Sequence, residues 1–235
     1  LPKCRGFDVL LWLNPVSGIS GDMLLGALVD LGARLDDIRA AVSATGIDGS
    51  SLEVERVSVN GLNAASVRVA VEEDTTVRTV AEVFEMIDRV TPRPVAELAG
   101  RAMHAIAEVE SGVHGVPLDE LHLHELGSDD TVVDLVGVAA ALHILGVEQV
   151  LSTPVRLGSG VVNSQHGRLP APAPATLALL EGMTVESCSI SGETVTPTGA
   201  ALLRAVGCRF GYTPSMVVHK RGYGAGTSRF RDVPN

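Results

Sequence analysis

The segment from Val132 to Leu145 constrains the fold of this chain more than any other, because nearly every residue in it is apolar. A helix that is apolar all round is stable only where other parts of the protein cover it. The segment is also shorter than the roughly 20 apolar residues that a membrane-spanning helix needs. The sequence therefore predicts a buried helix inside a globular protein.

The composition indicates what can surround such a helix. Hydrophobic residues make up 46% of the 235 residues but aromatic ones only 3%, so the core must consist of aliphatic side chains. Three scattered cysteines without a CxxC spacing (Cys4, Cys188 and Cys208) are typical of reduced thiols in a cytoplasmic protein. A net charge of −10 argues against nucleic acid as a partner. We find no signal peptide and expect no membrane partner.

Strand-like and helix-like patterns alternate along the chain. Strands are predicted at Phe7–Leu13 and Gln149–Leu157, and a helix at Met23–Leu31. Two runs with a period of two flank Asn60–Gly61, which predicts a hairpin that projects as a lobe at about residues 50–73. Without repeats or a low-complexity linker, the chain is predicted to be one continuous α/β unit, with α+β as an alternative. We expect a mixed sheet with flanking helices.

Candidate metal ligands are concentrated directly before the buried helix. The stretch from His122 to Asp134 holds two imidazoles and four carboxylates. Both ligand types suit first-row transition metals. His122 and His124 would point to the same side of an extended segment, which favours a shared ligand role. Glu125 would point to the opposite side.

The two aspartates Asp130 and Asp134 lie one helical turn apart and would share a face of the helix. Gly137 and Ala141 continue that face without bulk, which predicts room for a ligand. A buried Asp134 must be paired, neutralised or metal-bound. In the alternative interpretation Asp130 only caps the helix, and Asp134 accepts a hydrogen bond from a neighbouring loop.

Turns rich in glycine, serine and threonine recur beside predicted strands and helix starts. They are Ser17–Asp22, Gly158–Gly160, Ser191–Gly199 and Gly222–Thr227. Such turns expose backbone N–H groups that favour anions, although each of them taken alone is better explained as an ordinary turn. Thr198 is predicted to cap the helix that follows it, with Thr196 available to an anion.

Two further side chains are candidates for chemistry. His166 lies in a polar turn and is interpreted either as a surface histidine or as a third imidazole or general acid. Arg168 could bind a phosphate or carboxylate through two parallel hydrogen bonds.

Five motifs, taken in order, resemble the LarC family of nickel-insertion proteins, which make the nickel-pincer cofactor of lactate racemase and related enzymes. They are Ser17–Met23, His122–Gly127, His166–Pro170, Thr196–Ala200 and Gly222–Thr227. Each motif is weak alone, but the ordered set is specific and extends over most of the chain.

The resemblance implies a lyase-type, CTP-dependent insertion of nickel into pyridinium-3,5-bisthiocarboxylic acid mononucleotide, with Mg²⁺ or Mn²⁺ assisting the nucleotide. Nickel would bind His122, His124, Asp130 and Asp134. The nucleotide-like substrate would bind Ser17, Gly18, Ser20, Gly21, Asp22, Thr196, Thr198 and Gly199. His166 and Arg168 are the candidates for a catalytic role. We also expect a homo-oligomer and an acceptor enzyme or separate C-terminal part as partner.

The chain departs from the family pattern in three places. Asn14 replaces a usual aspartate, residues 72–76 replace a His-rich loop, and the chain stops at Asn235 where the family commonly continues into a region associated with CTP. We therefore expect this chain to be the N-terminal part. The alternatives are a non-catalytic nickel carrier and a metal-dependent hydrolase.

Overall fold

The computed structural model describes residues 9–49, 52–69, 78–123, 125–164, 167–230 and 233–234. Within these ranges the helices are α1 (Gly21–Leu31), α2 (Leu35–Ala44), α3 (Val80–Asp88), α4 (Arg93–His114), α5 (Asp129–Ile144), α6 (Pro174–Leu179) and α7 (Pro197–Ala205). The strands are β1 (Val9–Leu13), β2 (Leu52–Val59), β3 (Leu62–Val69), β4 (Arg78–Thr79), β5 (His122–Leu123), β6 (Val147–Ser152), β7 (Val155–Ser159), β8 (Val161–Ser164), β9 (Gly167–Pro170), β10 (Val185–Ser191) and β11 (Arg209–Phe210).

The predicted buried helix is α5, and it forms the centre of the molecule. Every residue of α5 from Thr131 to Leu142 is buried. Helices α1, α2, α4 and α7 pack around it, so its apolar surface is covered on all sides. In the described part of the chain, no helix is both long enough and apolar enough to cross a membrane.

The strands confirm the α/β class. β1, β6 and β11 form a parallel sheet in the order β1–β6–β11, and β10 pairs with β7 in parallel. The other described pairs are the antiparallel hairpins β2–β3 and β8–β9 and the short ladder β4–β5. The strands are therefore divided among several small sheets that lie beside the helical core.

The single strand predicted at Gln149–Leu157 is wrong, because the chain changes sheets within it. β6 ends at Ser152 and β7 begins at Val155. Between them Thr153 donates its N–H to Leu13 O at 3.1 Å, and Val155 donates to Thr184 O at 3.0 Å. Pro154 has no N–H to offer a ladder, which favours the break at this point.

The predicted hairpin is confirmed in its position and its turn. β2 and β3 pair antiparallel, with Val59 opposite Leu62. Asn60 has φ 49° and Gly61 has φ 82°, the positive values that a type I′ turn requires. β3 packs against α1, while the tip at Asn60–Gly61 is exposed. The hairpin therefore joins the body of the protein through β3.

Candidate functional site

The turn before α1 and the turn before α7 are joined to each other by backbone hydrogen bonds. Ile19 donates its N–H to Thr194 O at 2.9 Å, and Thr196 donates to Ile19 O at 3.1 Å. A Cβ at Gly18 would lie 1.8 Å from Thr194 O, and one at Gly199 would lie 2.5 Å from Ile19 O. The predicted cofactor-binding residues of the two turns are thus brought together, and two of their glycines are required by this close packing.

The same contacts limit what the two turns can offer an anion. The N–H groups of Ile19 and Thr196 already have carbonyl acceptors, and Gly199 donates its N–H to Thr196 Oγ1 at 3.2 Å. Ser17 is buried, and its hydroxyl donates to Pro234 O at 2.6 Å. An anion at this junction would therefore have to use other donors.

The first turn of α1 brings Asp22 to the two aspartates of α5. A Cβ at Gly21 would lie 2.2 Å from Asp134 Oδ2, so only glycine leaves room for that carboxyl group. The N–H of Asp22 donates a hydrogen bond to Asp134. Asp22 itself accepts from Met23 N–H at 2.8 Å and from the Ser20 hydroxyl. We call Asp22, Asp130 and Asp134 the carboxylate cluster.

Burial and mutual repulsion raise the pKa values of two aspartates in the carboxylate cluster. Burial raises the pKa of Asp134 well above its usual range, and the neighbouring charges of Asp130 and Asp22 raise it further. Asp130 is open to solvent on one side, yet desolvation and the charge of Asp22 raise its pKa as well. No basic side chain in the described ranges forms an ion pair with Asp130 or Asp134. The charge of the cluster therefore favours a proton or a metal cation.

The predicted cap of α7 is wrong by two residues, and the alternative interpretation of Asp130 as the cap of α5 is wrong as well. The N-cap of α7 is Thr196, whose hydroxyl accepts from Gly199, whereas Thr198 lies inside the helix. The N-cap of α5 is Ser128, whose hydroxyl accepts from Thr131, so Asp130 does not cap the helix. Asp130 therefore does not have the capping role that the alternative interpretation of the sequence gave it.

Replacing Thr196 with alanine should lower the free energy of unfolding by about 1 kcal/mol, because α7 loses its N-cap acceptor. Thr196→Ser should retain most of that stability, since it keeps the hydroxyl. Urea denaturation followed by circular dichroism measures both. Equal midpoints for the alanine variant and the unmodified chain would contradict the capping role.

The predicted room beside Gly137 is occupied. A Cβ at Gly137 would lie 2.9 Å from a methyl group of Leu25 and 3.6 Å from one of Ile38. The small residue on this face of α5 therefore accommodates the packing of α1 and α2, not a ligand.

His122 lies on a different element from the carboxylate cluster. His122 lies on β5, paired with Thr79 of β4, and is exposed. Its charge acts on Glu82, whose carboxylate accepts from the Thr79 N–H in the capping box of α3. His124 and the side chain of Glu125 lie outside the described residues. The metal-ligand role of His122 and His124 stays a prediction.

The remaining candidates of the sequence analysis are spread over other elements. Asp129 is held by Arg78 at 2.7 Å, and Arg78 also donates to Gly127 O at 2.8 Å. Arg168 is exposed on β9, opposite Asn163 in the β8–β9 hairpin. His166 lies outside the described residues. Among those that are described, no group of three or more His, Cys, Asp or Glu side chains is arranged to hold a metal ion.

The glycine-rich segment Gly222–Gly226 packs between α1 and β3. A Cβ at Gly222 would lie 2.1 Å from Ala27 O, and one at Gly224 would lie 1.8 Å from Met23 O. Ala65 of β3 donates its N–H to Tyr223 O at 2.8 Å. The segment was predicted as an anion-binding turn or an ordinary turn, and the structure shows a close backbone contact.

Sequence reasoning missed a basic cleft beside this segment. Three consecutive residues, His219, Lys220 and Arg221, line an open cleft of about 700 Å³ together with Arg56 of β2. The signal was present, because a His-Lys-Arg run stands out in a chain with a net charge of −10. We call this feature the basic cleft.

Comparison with known proteins identifies the family to which this chain belongs. Residues 11–235 match the family model described as "Nickel insertion protein". The chain therefore belongs to the nickel insertion protein family. No solved structure matches it.

Relatives in this family are similar over nearly the whole chain. A relative from Geobacter metallireducens is 45% identical over 229 residues, which cover 96% of this chain and 59% of the relative. The pyridinium-3,5-bisthiocarboxylic acid mononucleotide nickel insertion protein of Geobacillus kaustophilus is 36% identical over 237 residues, covering 96% of this chain and 58% of that protein. This chain thus spans less than two thirds of the length of the relatives it matches.

Proposed function

We propose that this chain is the metal-handling part of a protein that inserts nickel into pyridinium-3,5-bisthiocarboxylic acid mononucleotide in a CTP-dependent reaction. The name of the Geobacillus kaustophilus relative supports the substrate. The CTP requirement, an accompanying Mg²⁺ or Mn²⁺ and a lyase classification follow from the resemblance stated above. Nickel is here the cargo of the protein.

The observation that carries this proposal is the carboxylate cluster. Burial raises the pKa of Asp134 and the charges of Asp130 and Asp22 raise it further, and a divalent cation would offset that repulsion directly. Carboxylate oxygens are hard ligands, whereas the thiocarboxylates of the substrate are soft sulfur donors that retain nickel more strongly. The cluster by itself is not arranged to hold a metal ion, so a further ligand would be needed to make a site that binds nickel moderately and passes it on.

The predicted imidazole ligands would complete the set. Two aspartates near the start of α5 follow His122 and His124 in the chain, and imidazole suits nickel. His166 and Arg168 remain the candidates for a catalytic role. Arg168 is exposed and its guanidinium is suited to a substrate carboxylate or phosphate.

Nickel binding by the purified chain tests the site. Asp130→Asn/Asp134→Asn and His122→Ala/His124→Ala should each weaken nickel binding at least tenfold, since loss even of residues that only orient a metal ligand costs about 10–100-fold. Asp36→Asn/Asp88→Asn is the matched control, because both side chains are exposed, at 95% and 68%. Isothermal titration calorimetry and metal analysis measure the outcome. Unchanged nickel binding in both test variants would remove the proposed site.

Incubation with nickel, CTP and the metal-free mononucleotide separates insertion from simple carriage of nickel. An insertion protein should produce a new metal–sulfur absorption band that grows only when CTP is present. A chain that binds nickel yet gives no band, even after addition of the C-terminal part of a relative, would be a carrier.

A further inference from the structure

The basic cleft lies at the opposite end of α1 from the carboxylate cluster. Its walls are the C-terminal part of α1, the tip of the β2–β3 hairpin and the segment before Gly222. Asp22 and Asp30 are eight residues apart on α1, which corresponds to about 12 Å along the helix axis. The two features are therefore separate, but one helix holds both.

The cleft carries an excess of positive charge. Arg56, Lys220 and Arg221 line it, and Asp30 is the one acidic residue among its lining residues. The Asp30 carboxylate is already used, since it forms an ion pair with Arg56 and accepts the Tyr223 N–H at 2.8 Å. Lys220 and Arg221 are exposed and have no acidic partner within the ranges that the structure describes. An anionic ligand would therefore find two unpaired cations.

Packing fixes the backbone that carries these cations. Gly222 and Gly224 lie so close to the α1 backbone that any side chain would overlap it. Ala65 and Ala225 add hydrogen bonds on either side of Gly224, at 2.8 and 2.9 Å. Because Lys220 and Arg221 directly precede this anchored segment, their backbone is held in place before a ligand arrives.

We propose that the basic cleft binds the phosphate group of the pyridinium mononucleotide, an inference that rests on the proposed function. Lysine and arginine are the side chains that bind phosphate most strongly, and arginine does so through two parallel hydrogen bonds. Tyr223 lines the same cleft and is 47% exposed, and a tyrosine ring can attract a pyridinium cation through its face.

This assignment places the phosphate away from the turn at Ser17–Asp22. The carboxylate cluster beside that turn repels an anion, whereas the basic cleft attracts one. Phosphate and metal would thus be held at opposite ends of α1, each beside charges of the opposite sign.

A matched pair of ligands tests the assignment without nickel. Nicotinamide mononucleotide is a pyridinium mononucleotide, and nicotinamide riboside is the same molecule without the phosphate. We expect the mononucleotide to bind the 235-residue chain at least about tenfold more tightly than the riboside, with a preference that decreases as salt increases. In Lys220→Ala/Arg221→Ala this preference should disappear. Calorimetric titration measures the affinity of each of the two ligands for the unmodified chain and for the variant.

The control variant is Arg93→Ala/Arg101→Ala, which removes the same charge from α4, outside the cleft. It should retain the preference for the mononucleotide. Equal binding of mononucleotide and riboside, or an unchanged preference in Lys220→Ala/Arg221→Ala, would overturn the assignment. Inorganic phosphate that binds as tightly as the mononucleotide would overturn it too, because the cleft would then be a general anion site.

The proposed function can fail separately. If the chain binds nickel through the carboxylate cluster but binds mononucleotide and riboside equally, only the phosphate site in the basic cleft is refuted. A chain that prefers the mononucleotide but binds no nickel would refute only the metal site.

Discussion

Replacing Gly224 with alanine should destabilise the protein by about 3 kcal/mol or more, which lowers the melting temperature on the order of 10 °C. The added Cβ would lie 1.8 Å from Met23 O and 2.6 Å from Ala27 N, both of them backbone atoms of α1. A flexible side chain could move aside, but a helix backbone cannot do so without breaking its own hydrogen bonds. β3 closes the other side, because Ala225 donates its N–H to Ala65 O at 2.9 Å.

The matched control is Gly100→Ala in the middle of α4, where a Cβ would meet no other part of the described chain within 4 Å. Alanine should raise the free energy of unfolding there by about 0.5–1 kcal/mol, because it restricts the unfolded chain and favours the helix. Differential scanning calorimetry of both variants measures opposite shifts. A Gly224→Ala variant that melts within about 2 °C of the unmodified chain would show that the three backbones do not pack as closely as described.

This packing illustrates what the sequence could and could not predict. The buried helix α5 and the hairpin turn at Asn60–Gly61 were predictable, because apolar periodicity and local backbone preferences determine them. The need for glycine at Gly222 and Gly224 was not predictable. It arises from a contact with α1, which lies far away in the sequence, and a glycine-rich run has the same composition in a surface loop.

The N-cap of α7 shows a different limit of prediction from sequence. Thr196 and Thr198 are equally good N-caps by residue type, and the prediction of Thr198 is wrong. The deciding signal was local, since Pro197 between them favours the first helical position and thereby makes Thr196 the cap. The position of this cap could therefore be predicted from the sequence.

The candidate site was predicted only in part. The structure confirms that Asp134 is buried, as its apolar neighbours indicated. Asp22 was grouped with the nucleotide-binding turn, whereas the structure places it beside Asp130 and Asp134. More than a hundred residues separate Asp22 from them in the chain, so only the packing of α1 on α5 brings the three charges together.

That packing also gives the two ends of α1 different chemistry. Asp22 at the N-terminal end contributes to a negative cluster, and Asp30 near the C-terminal end holds Arg56 and the segment that carries Lys220. One helix can thus position a metal cation and a phosphate at a fixed separation. A ligand whose own charges are separated in the same way would be oriented by both.

Replacing Asp134 with asparagine should make the metal-free protein more stable at neutral pH. The pKa of Asp134 is raised in the folded state by burial and by the charges of Asp130 and Asp22. The carboxyl group therefore favours folding below its unfolded pKa of about 4, and this contribution is lost as pH rises towards the folded value. Asparagine keeps the size of the side chain and an oxygen that can accept the Asp22 N–H, but it has no charge to bury.

The difference in melting temperature between Asp134→Asn and the unmodified chain should accordingly be small near pH 4.5 and widen up to pH 8. Thermal melts with EDTA present measure it, and Asp36→Asn, on a side chain that is 95% exposed, controls for the chemical change alone. If the difference in melting temperature stays constant over this range, or the variant is less stable at pH 8, burying the charge of Asp134 does not destabilise the protein. With nickel in place of EDTA, the order of the two melting temperatures should reverse: a cation offsets the charge of Asp134 in the unmodified chain, whereas the variant has lost that ligand and gains less.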